Sequence, residues 1–245
     1  MYFVFDIDGT ICFDGKTIEH SIIEALNDLV EAGHEVTFAS ARPIRDMLPL
    51  LPKQFHQGRM VGGNGAFTYY NGDIKVNYFN EDLLAKLVSI IETNELTYLA
   101  DSDWDYAYTG DQNHPIYHNI NQAQAKNRQL KELHKICKIV LFHPIRKVID
   151  ELSALPVMVT SYKGENAIDI SPLDINKVKG LLNLNIDHFI AFGNDSNDQC
   201  LFEKAAYSVC VGNQDVQQYA TETIVRADVA KTIRKLIKKW EENEK

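Results

Sequence analysis

Tyr2-Phe3-Val4-Phe5-Asp6-Ile7-Asp8-Gly9-Thr10 is the stretch that decides the reading of this chain. Consecutive apolar residues predict a short buried strand over Tyr2–Asp6 that ends on acids. Residues two apart in an extended segment point the same way. Asp6 and Asp8 therefore share one pocket at the carboxyl end of the strand, where open α/β sheets bind their ligands. Gly9 lets the chain turn sharply there. Carboxylates that close repel each other unless a proton or cation intervenes. A hard divalent ion with oxygen ligands resolves the repulsion, and Mg²⁺ suits a site beside phosphate.

Working outward, the pattern alternates strands with helices. Apolar positions at Ile22, Ile23, Leu26, Leu29 and Val30 predict a helix within 18–32, stopped by Gly33. Glu35–Ala39 reads as a strand, Pro43 as the first turn of a helix and Arg59–Gly62 as a further strand. Asn71-Gly72 between Phe67–Tyr70 and Asp73–Val76 is a strong hairpin signal. From about Asn80 the pattern changes. Helices are expected over Glu81–Thr93, Gln122–Leu133 and Ile145–Ser153. Strands are expected over Leu96–Ala100, Asp105–Thr109, Ile136–Phe142, Val157–Ser161 and Asn166–Ile170. That mixture is an α+β unit. A helix at Lys177–Leu184, a central strand at Phe189–Phe192, a strand at Tyr207–Val211 followed by a helix, and a last helix from Val229 return to the first pattern.

Three more signals carry chemistry. Ser40 and Ala41 follow the apolar strand that ends at Ala39, and the Ser40 hydroxyl can donate to an anion. Lys177 opens a helix after Asp174-Ile175-Asn176, and its compact charge suits a phosphate or an acid. Gly193-Asn194-Asp195-Ser196-Asn197-Asp198 is an acid-rich loop directly after the strand Phe189–Phe192. Taken singly, each has an ordinary explanation in turns and solvated charges. Together they converge, because several follow strands of one parallel sheet. Asp6 and Ser40 are 34 residues apart, which fits one strand–helix–strand unit with a short flap. Ser40 and Lys177 are 137 residues apart, too far for a crossover, so a folded insert lies between them.

The chain's 245 residues carry a net charge of −9, with 45% hydrophobic and 24% charged residues, as in an ordinary globule. At about 150 residues per domain the length allows one or two domains. No apolar run reaches the roughly 18 residues of a membrane span, and the start lacks a secretory signal's basic region. The acidic balance argues against a nucleic-acid groove. Cys12, Cys137, Cys200 and Cys210 form no CxxC pair and read as buried reduced thiols of a cytoplasmic protein. His114 and His118 are four apart with Pro115 between them, and read as loop residues. The basic side of the last helix reads as a solvated face.

These motifs resemble the haloacid dehalogenase-like hydrolase (HAD) superfamily over essentially the whole chain. The likeness rests on Asp6-Ile-Asp-Gly-Thr10, Ser40, Lys177 and Gly193-Asn-Asp-Ser-Asn-Asp198. Asn64-Gly65-Ala66 is typical of the Cof-type branch, subfamily IIB. The resemblance implies an α/β fold: a Rossmann-like parallel-sheet core (1–79 and 173–245) with an inserted α+β cap of C2 type (80–172). It implies a Mg²⁺-dependent phosphatase of small phosphomonoesters, with sugar phosphates favoured, acting through an aspartyl-phosphate. Asp6 would be the nucleophile and Asp8 the general acid and base, its backbone carbonyl facing the metal. Ser40, Lys177, Asn197 and the backbone N–H groups of Ile7 and Ala41 would hold the phosphoryl oxygens. The metal would be drawn to Asp6, Asp8, Asn194, Asp195 and Asp198. Asn194 stands where relatives commonly carry an acid, and Asp195 or Asp198 would supply that charge. Arg42 is open between a structural ion pair and substrate contact. Cap residues Trp104, Asp105, Tyr106, His114, His118 and Arg128 are candidate leaving-group contacts or packing. The partner implied is a small phosphorylated metabolite, with no nucleic acid, membrane or obligate protein partner. A phosphosugar mutase or phosphotransferase, or a phosphometabolite-binding module with weak activity, are the other readings.

Overall fold

The computed structural model describes residues 1–162 and 166–243. Its elements are β1 (Tyr2–Phe5), α1 (His20–Glu31), β2 (Glu35–Ala39), α2 (Ile44–Met47), β3 (Met60–Gly62), β4 (Phe67–Tyr70) and β5 (Asp73–Val76). They continue with α3 (Glu81–Thr93), β6 (Thr97–Asp101), β7 (Tyr106–Tyr108), α4 (Pro115–His118), β8 (Lys138–Phe142), α5 (Arg146–Ser153), β9 (Val157–Tyr162) and β10 (Ala167–Pro172). The chain ends with α6 (Lys177–Asn183), β11 (Phe189–Gly193), α7 (Gln199–Lys204), β12 (Tyr207–Val211), β13 (Glu222–Ile224) and α8 (Val229–Asn243). Two compact units divide the chain: Met1–Ile74 with Asn176–Lys245, and Lys75–Ile175.

The first unit is built on an eight-stranded sheet ordered β13-β12-β11-β1-β2-β3-β4-β5. The pairs from β13 through β3 are parallel, and β4 returns antiparallel to β3. This is an α/β fold of Rossmann-like kind. Its central strands are apolar runs because helices cover both faces. Val4, Ala39, Val61, Ala191 and Cys210 share a core with Leu181 of α6 and with Leu201 and Phe202 of α7. Phe5 and Phe192 stack ring on ring at 4.8 Å. α1 buries Ile22, Ala25, Leu26 and Leu29, and it packs against α8. α8 buries Val229, Ile233, Leu236 and Ile237. The parallel β1, β2 and β11 end at one edge of this sheet, where Asp6, Ser40 and Asn194 follow.

The second unit is α+β. Its five-stranded antiparallel sheet runs β7-β6-β8-β10-β9. Ala100, Ile139, Leu141, Ile168 and Ile170 pack with Leu83, Leu87 and Ile91 of α3 and Val148 and Leu152 of α5. Asn80 caps α3 by accepting from the Leu83 N–H.

The expected helix over Gln122–Leu133 is absent. Only Leu130–Glu132 forms a single 3₁₀ turn. The stretch before it lies along β7 instead: Tyr106 donates to the Lys126 carbonyl and Arg128 donates to the Tyr106 carbonyl. Its amides find partners on a sheet edge, and its polar residues carry no apolar stripe to hold a helix down. The helix expected after β12 is a 3₁₀ turn, Asp215–Tyr219. Beyond it β13 adds an edge strand that the sequence reading did not foresee.

Candidate active site

The Asp6 N–H donates to the Phe192 carbonyl at 2.9 Å, so the sheet pairing runs one residue past β1. Then the chain folds back on itself. The N–H groups of Thr10, Ile11 and Cys12 all point at the Ile7 carbonyl, at 3.2, 3.0 and 2.9 Å. Gly9 sits at φ +79°, and a Cβ there would lie 2.3 Å from the Asn194 side chain. Only glycine fits both demands. The result buries Asp6 and leaves the Asp8 side chain 45% exposed.

Asp6 meets Lys177, the first residue of α6. The Lys177 Nζ donates to Asp6 Oδ1 and to Asp198 Oδ1, both at 2.7 Å, and is itself fully buried. Asp198 is committed on its other side as well. Its Oδ2 accepts the N–H groups of Asn194 (2.8 Å) and Asp195 (3.1 Å). One ammonium between two carboxylates leaves a negative excess. Burial pushes the Asp6 carboxyl up to about 7, Asp198 and Asp8 add to the shift, and Lys177 opposes it. Burial also works against the Lys177 charge, but Asp198 and Asp6 outweigh it and hold the ammonium above the usual lysine range.

Thr10 Oγ1 donates to Asp6 Oδ2 at 3.0 Å and also meets the Asn194 carboxamide. One carboxamide atom of Asn194 lies 3.1 Å from Asp6 Oδ2, 2.9 Å from the Asp8 carbonyl oxygen and 3.0 Å from Thr10 Oγ1. With its nitrogen turned inward, Asn194 donates to these three oxygens. Turned over, the same carboxamide would present its oxygen beside Asp6 Oδ2 and the Asp8 carbonyl, and three hard oxygen donors suit Mg²⁺. Among the described residues no group of three His, Cys, Asp or Glu side chains is gathered for a metal. These facing donors are a carboxylate, a carbonyl and a carboxamide.

Ser40 is buried. Its Oγ accepts the Arg42 N–H at 3.1 Å, and its backbone is held by Val61 and Asn64. The hydroxyl proton remains available to an anion. Asn197 Nδ2 donates to Asn64 Oδ1 at 3.1 Å. Asn64 is buried at φ +55°, inside the Asn64-Gly65-Ala66 turn. Gly65 lets this turn meet the start of α6, because a Cβ there would lie 2.2 Å from the Asn176 carbonyl. Asn176 caps α6 through the Lys179 N–H. The Asp195 side chain accepts the Ser196 N–H. Asp198 thus ties its own loop together and holds Lys177, while Asp195 caps the turn that follows. Arg42 forks onto Asp8 through its Nε and Nη2.

The sequence reading gave no role to Thr10 or Asn64, although both stand in the quoted motifs. Their contacts reach Asn194 and Asn197, 184 and 133 residues away, and spacing does not announce such pairs.

The family model described as haloacid dehalogenase-like hydrolase matches residues 3–234. The chain belongs to that family. It is 27% identical over 241 residues to the Bacillus subtilis 5-amino-6-(5-phospho-D-ribitylamino)uracil phosphatase YitU, covering 89% of each chain. It is 25% identical to the HMP-PP phosphatase of Yersinia pseudotuberculosis, covering 85% of this chain and 82% of that one. These matches set it among the Cof-type phosphatases of the HAD family. Its fold is that of a haloacid dehalogenase-like hydrolase from Bacteroides thetaiotaomicron, with TM-score 0.79, 21% identity and 96% and 98% of the two chains covered.

Proposed function

We propose that this HAD-family enzyme is a Mg²⁺-dependent phosphatase of small phosphomonoesters, sugar phosphates foremost, acting through an aspartyl-phosphate on Asp6. The observation that carries the reading is the environment of Asp6. It is buried, gripped on one oxygen by Lys177 and on the other by Thr10. That grip fixes its direction and leaves it no freedom to wander.

Asp6 Oδ2, the Asp8 carbonyl and the Asn194 carboxamide are the groups that would hold Mg²⁺. When bound, the ion offsets negative charge on the phosphoryl group and on Asp6. Ser40 donates its hydroxyl proton to a phosphoryl oxygen, joined by Asn197 and the N–H groups of Ile7 and Ala41. Lys177 opposes the effect of burial and so favours the ionised Asp6 that attacks. An Asp6 oxygen bonds to phosphorus while the ester bond breaks, and Asp8 gives its proton to the departing oxygen. Asp8, now a carboxylate, takes a proton from water. The water oxygen bonds to phosphorus, the bond to Asp6 breaks, and inorganic phosphate leaves.

The second unit, Lys75–Ile175, is the cap in this reading, and it chooses the leaving group. The four free thiols accord with a reducing, cytoplasmic setting. Among the described residues no helix is long and apolar enough to cross a membrane.

The test is phosphate release from a panel of small phosphomonoesters, in Mg²⁺ and in EDTA, for the wild type and Asp6→Asn. Release that needs the metal and falls at least about a thousandfold in Asp6→Asn is expected. Turnover in Asp6→Asn within tenfold of wild type would overturn the reading.

A further inference from the structure

Arg42 is built as an anchor. Its Nε donates to Asp8 Oδ2 at 2.7 Å and its Nη2 to Asp8 Oδ1 at 2.6 Å. The same Nη2 donates to the Gly15 carbonyl at 2.9 Å. The Arg42 side chain is 8% exposed, against 45% for Asp8. The backbone is pinned on both sides: the N–H donates to Ser40 Oγ at 3.1 Å, and the carbonyl accepts from Gly63 at 2.8 Å. A rigid, buried guanidinium therefore grips a half-exposed carboxylate by both oxygens. Two parallel bonds fix the plane and the rotation of that carboxylate, which a single contact to an ammonium could not do. The stability an accessible ion pair returns is small. The orientation it imposes is not.

We propose that Arg42 is a positioning residue for proton transfer at Asp8. The proposal rests on the phosphatase reading. The fork holds the Asp8 carboxyl in one plane, and the bond to Gly15 ties that orientation to the loop following the first motif. The step it serves is the one in which the ester bond to phosphorus breaks, an Asp6 oxygen bonds to phosphorus and the Asp8 proton goes to the departing oxygen. An alkyl phosphate releases an alkoxide and needs that proton. A p-nitrophenyl phosphate releases a stabilised anion and does not.

The measurement is kcat/KM for glycerol phosphate and for p-nitrophenyl phosphate in wild type, Arg42→Lys and Arg42→Met, with inorganic phosphate as inhibitor. General acid–base catalysis contributes about 10²–10⁴-fold. A donor present but unheld should lose about 10–100-fold on the alkyl ester and less than about threefold on the aryl ester. Inhibition by inorganic phosphate should stay within about twofold, because the fork points at Asp8. Arg42→Lys keeps the charge and the stem, so it decides the matter even where Arg42→Met fails to fold. An equal fall on both esters would reduce Arg42 to a structural part. Weakened inhibition by phosphate would make it a phosphate ligand. Either result overturns the proposal while leaving the phosphatase reading standing. A wild type silent toward both esters, and toward the wider panel, would sink that reading and the proposal with it.

Discussion

The two sheets of this protein bury polar residues in opposite ways. In the first unit, strands β1 and β11 are apolar throughout, β2 is apolar but for Glu35 and Thr37, and the acids, amides and hydroxyls of the site begin where those strands stop. In the second, the polar residues lie within the strands. Asp101, Lys138, Asp169 and Ser171 are buried in β6, β8 and β10. Lys138 pairs with Asp169 at 3.1 Å, and Asp101 stands opposite Lys138 in the ladder. The difference follows from strand direction. Parallel strands bring all their carboxyl ends to one edge, so residues distant in sequence meet there. Antiparallel neighbours end at alternate edges, so residues at strand ends scatter. Chemistry gathers at the first kind of edge, and buried polarity in the second kind of sheet serves the ladder and its packing.

Removing Lys177 should have the largest effect. Lys177→Met leaves Asp6 and Asp198 facing each other, buried and uncompensated. Breaking such a group by deleting one partner costs about 3–5 kcal/mol. Urea unfolding should show a loss of that size, and phosphate release should vanish with it. A variant within about 1 kcal/mol of wild type would mean that the charges at the parallel edge are not held as a unit.

The next effect is smaller and depends on pH. In metal-free protein the Asp6 carboxyl sits near 7, well above the roughly 3.9 of an unfolded aspartate. Between those values the folded state keeps a proton that the unfolded chain has released. The contribution of Asp6 to stability is therefore complete below about pH 4 and is lost as pH rises through 7. Mg²⁺ binds the ionised form, so its stabilisation should grow over the same window. A ligand at 100 times its dissociation constant adds about 2.7 kcal/mol. For a chain of this size that is about 5–10 °C in melting temperature. Thermal unfolding in Mg²⁺ and in EDTA should show this gap at pH 8 and only a small one at pH 5. Equal gaps at both pH values would remove Asp6 from the metal site.

The same contrast explains what could be read from the sequence. Tyr2–Phe5 and Phe189–Phe192 announce central parallel strands because both faces are covered, and Asp6 and Asn194 follow directly at their ends. The Asn71-Gly72 hairpin was legible because both residues take positive φ, 55° and 91°, as that turn demands. β13 was not, since Glu222-Thr223-Ile224 is short and half polar and gains its partner only from β12. The 122–133 stretch misled because helix-tolerant polar residues say nothing of an edge strand waiting beside them. In the site, Asp6, Ser40 and Lys177 stood out by type and place. Asn64 did not, because its role depends on a positive φ and on Asn197 far along the chain.

The smallest expected effect lies in the second unit, and it tests what polarity does there. Asp105 accepts the Lys126 N–H at 2.9 Å and the Arg128 Nε at 2.9 Å. The Lys126 amide foremost, with Arg128 behind it, holds the Asp105 carboxyl below its usual range. Arg128 is 43% exposed, so its ion pair is open to water and salt. Arg128→Ala should therefore cost less than about 1 kcal/mol. Asp105→Ala also strips a backbone amide of its acceptor and should cost about 1–2 kcal/mol more. Urea midpoints of the two variants, in low and in high salt, separate the terms. Salt should shrink the Arg128 loss and leave the excess of Asp105 in place. If Arg128→Ala cost as much as Asp105→Ala, the guanidinium rather than the backbone tie would be holding the 122–129 stretch along β7. The polar residues of the antiparallel unit would then act through side-chain charge, as those at the parallel edge do, and the contrast between the sheets would fail at its weakest point.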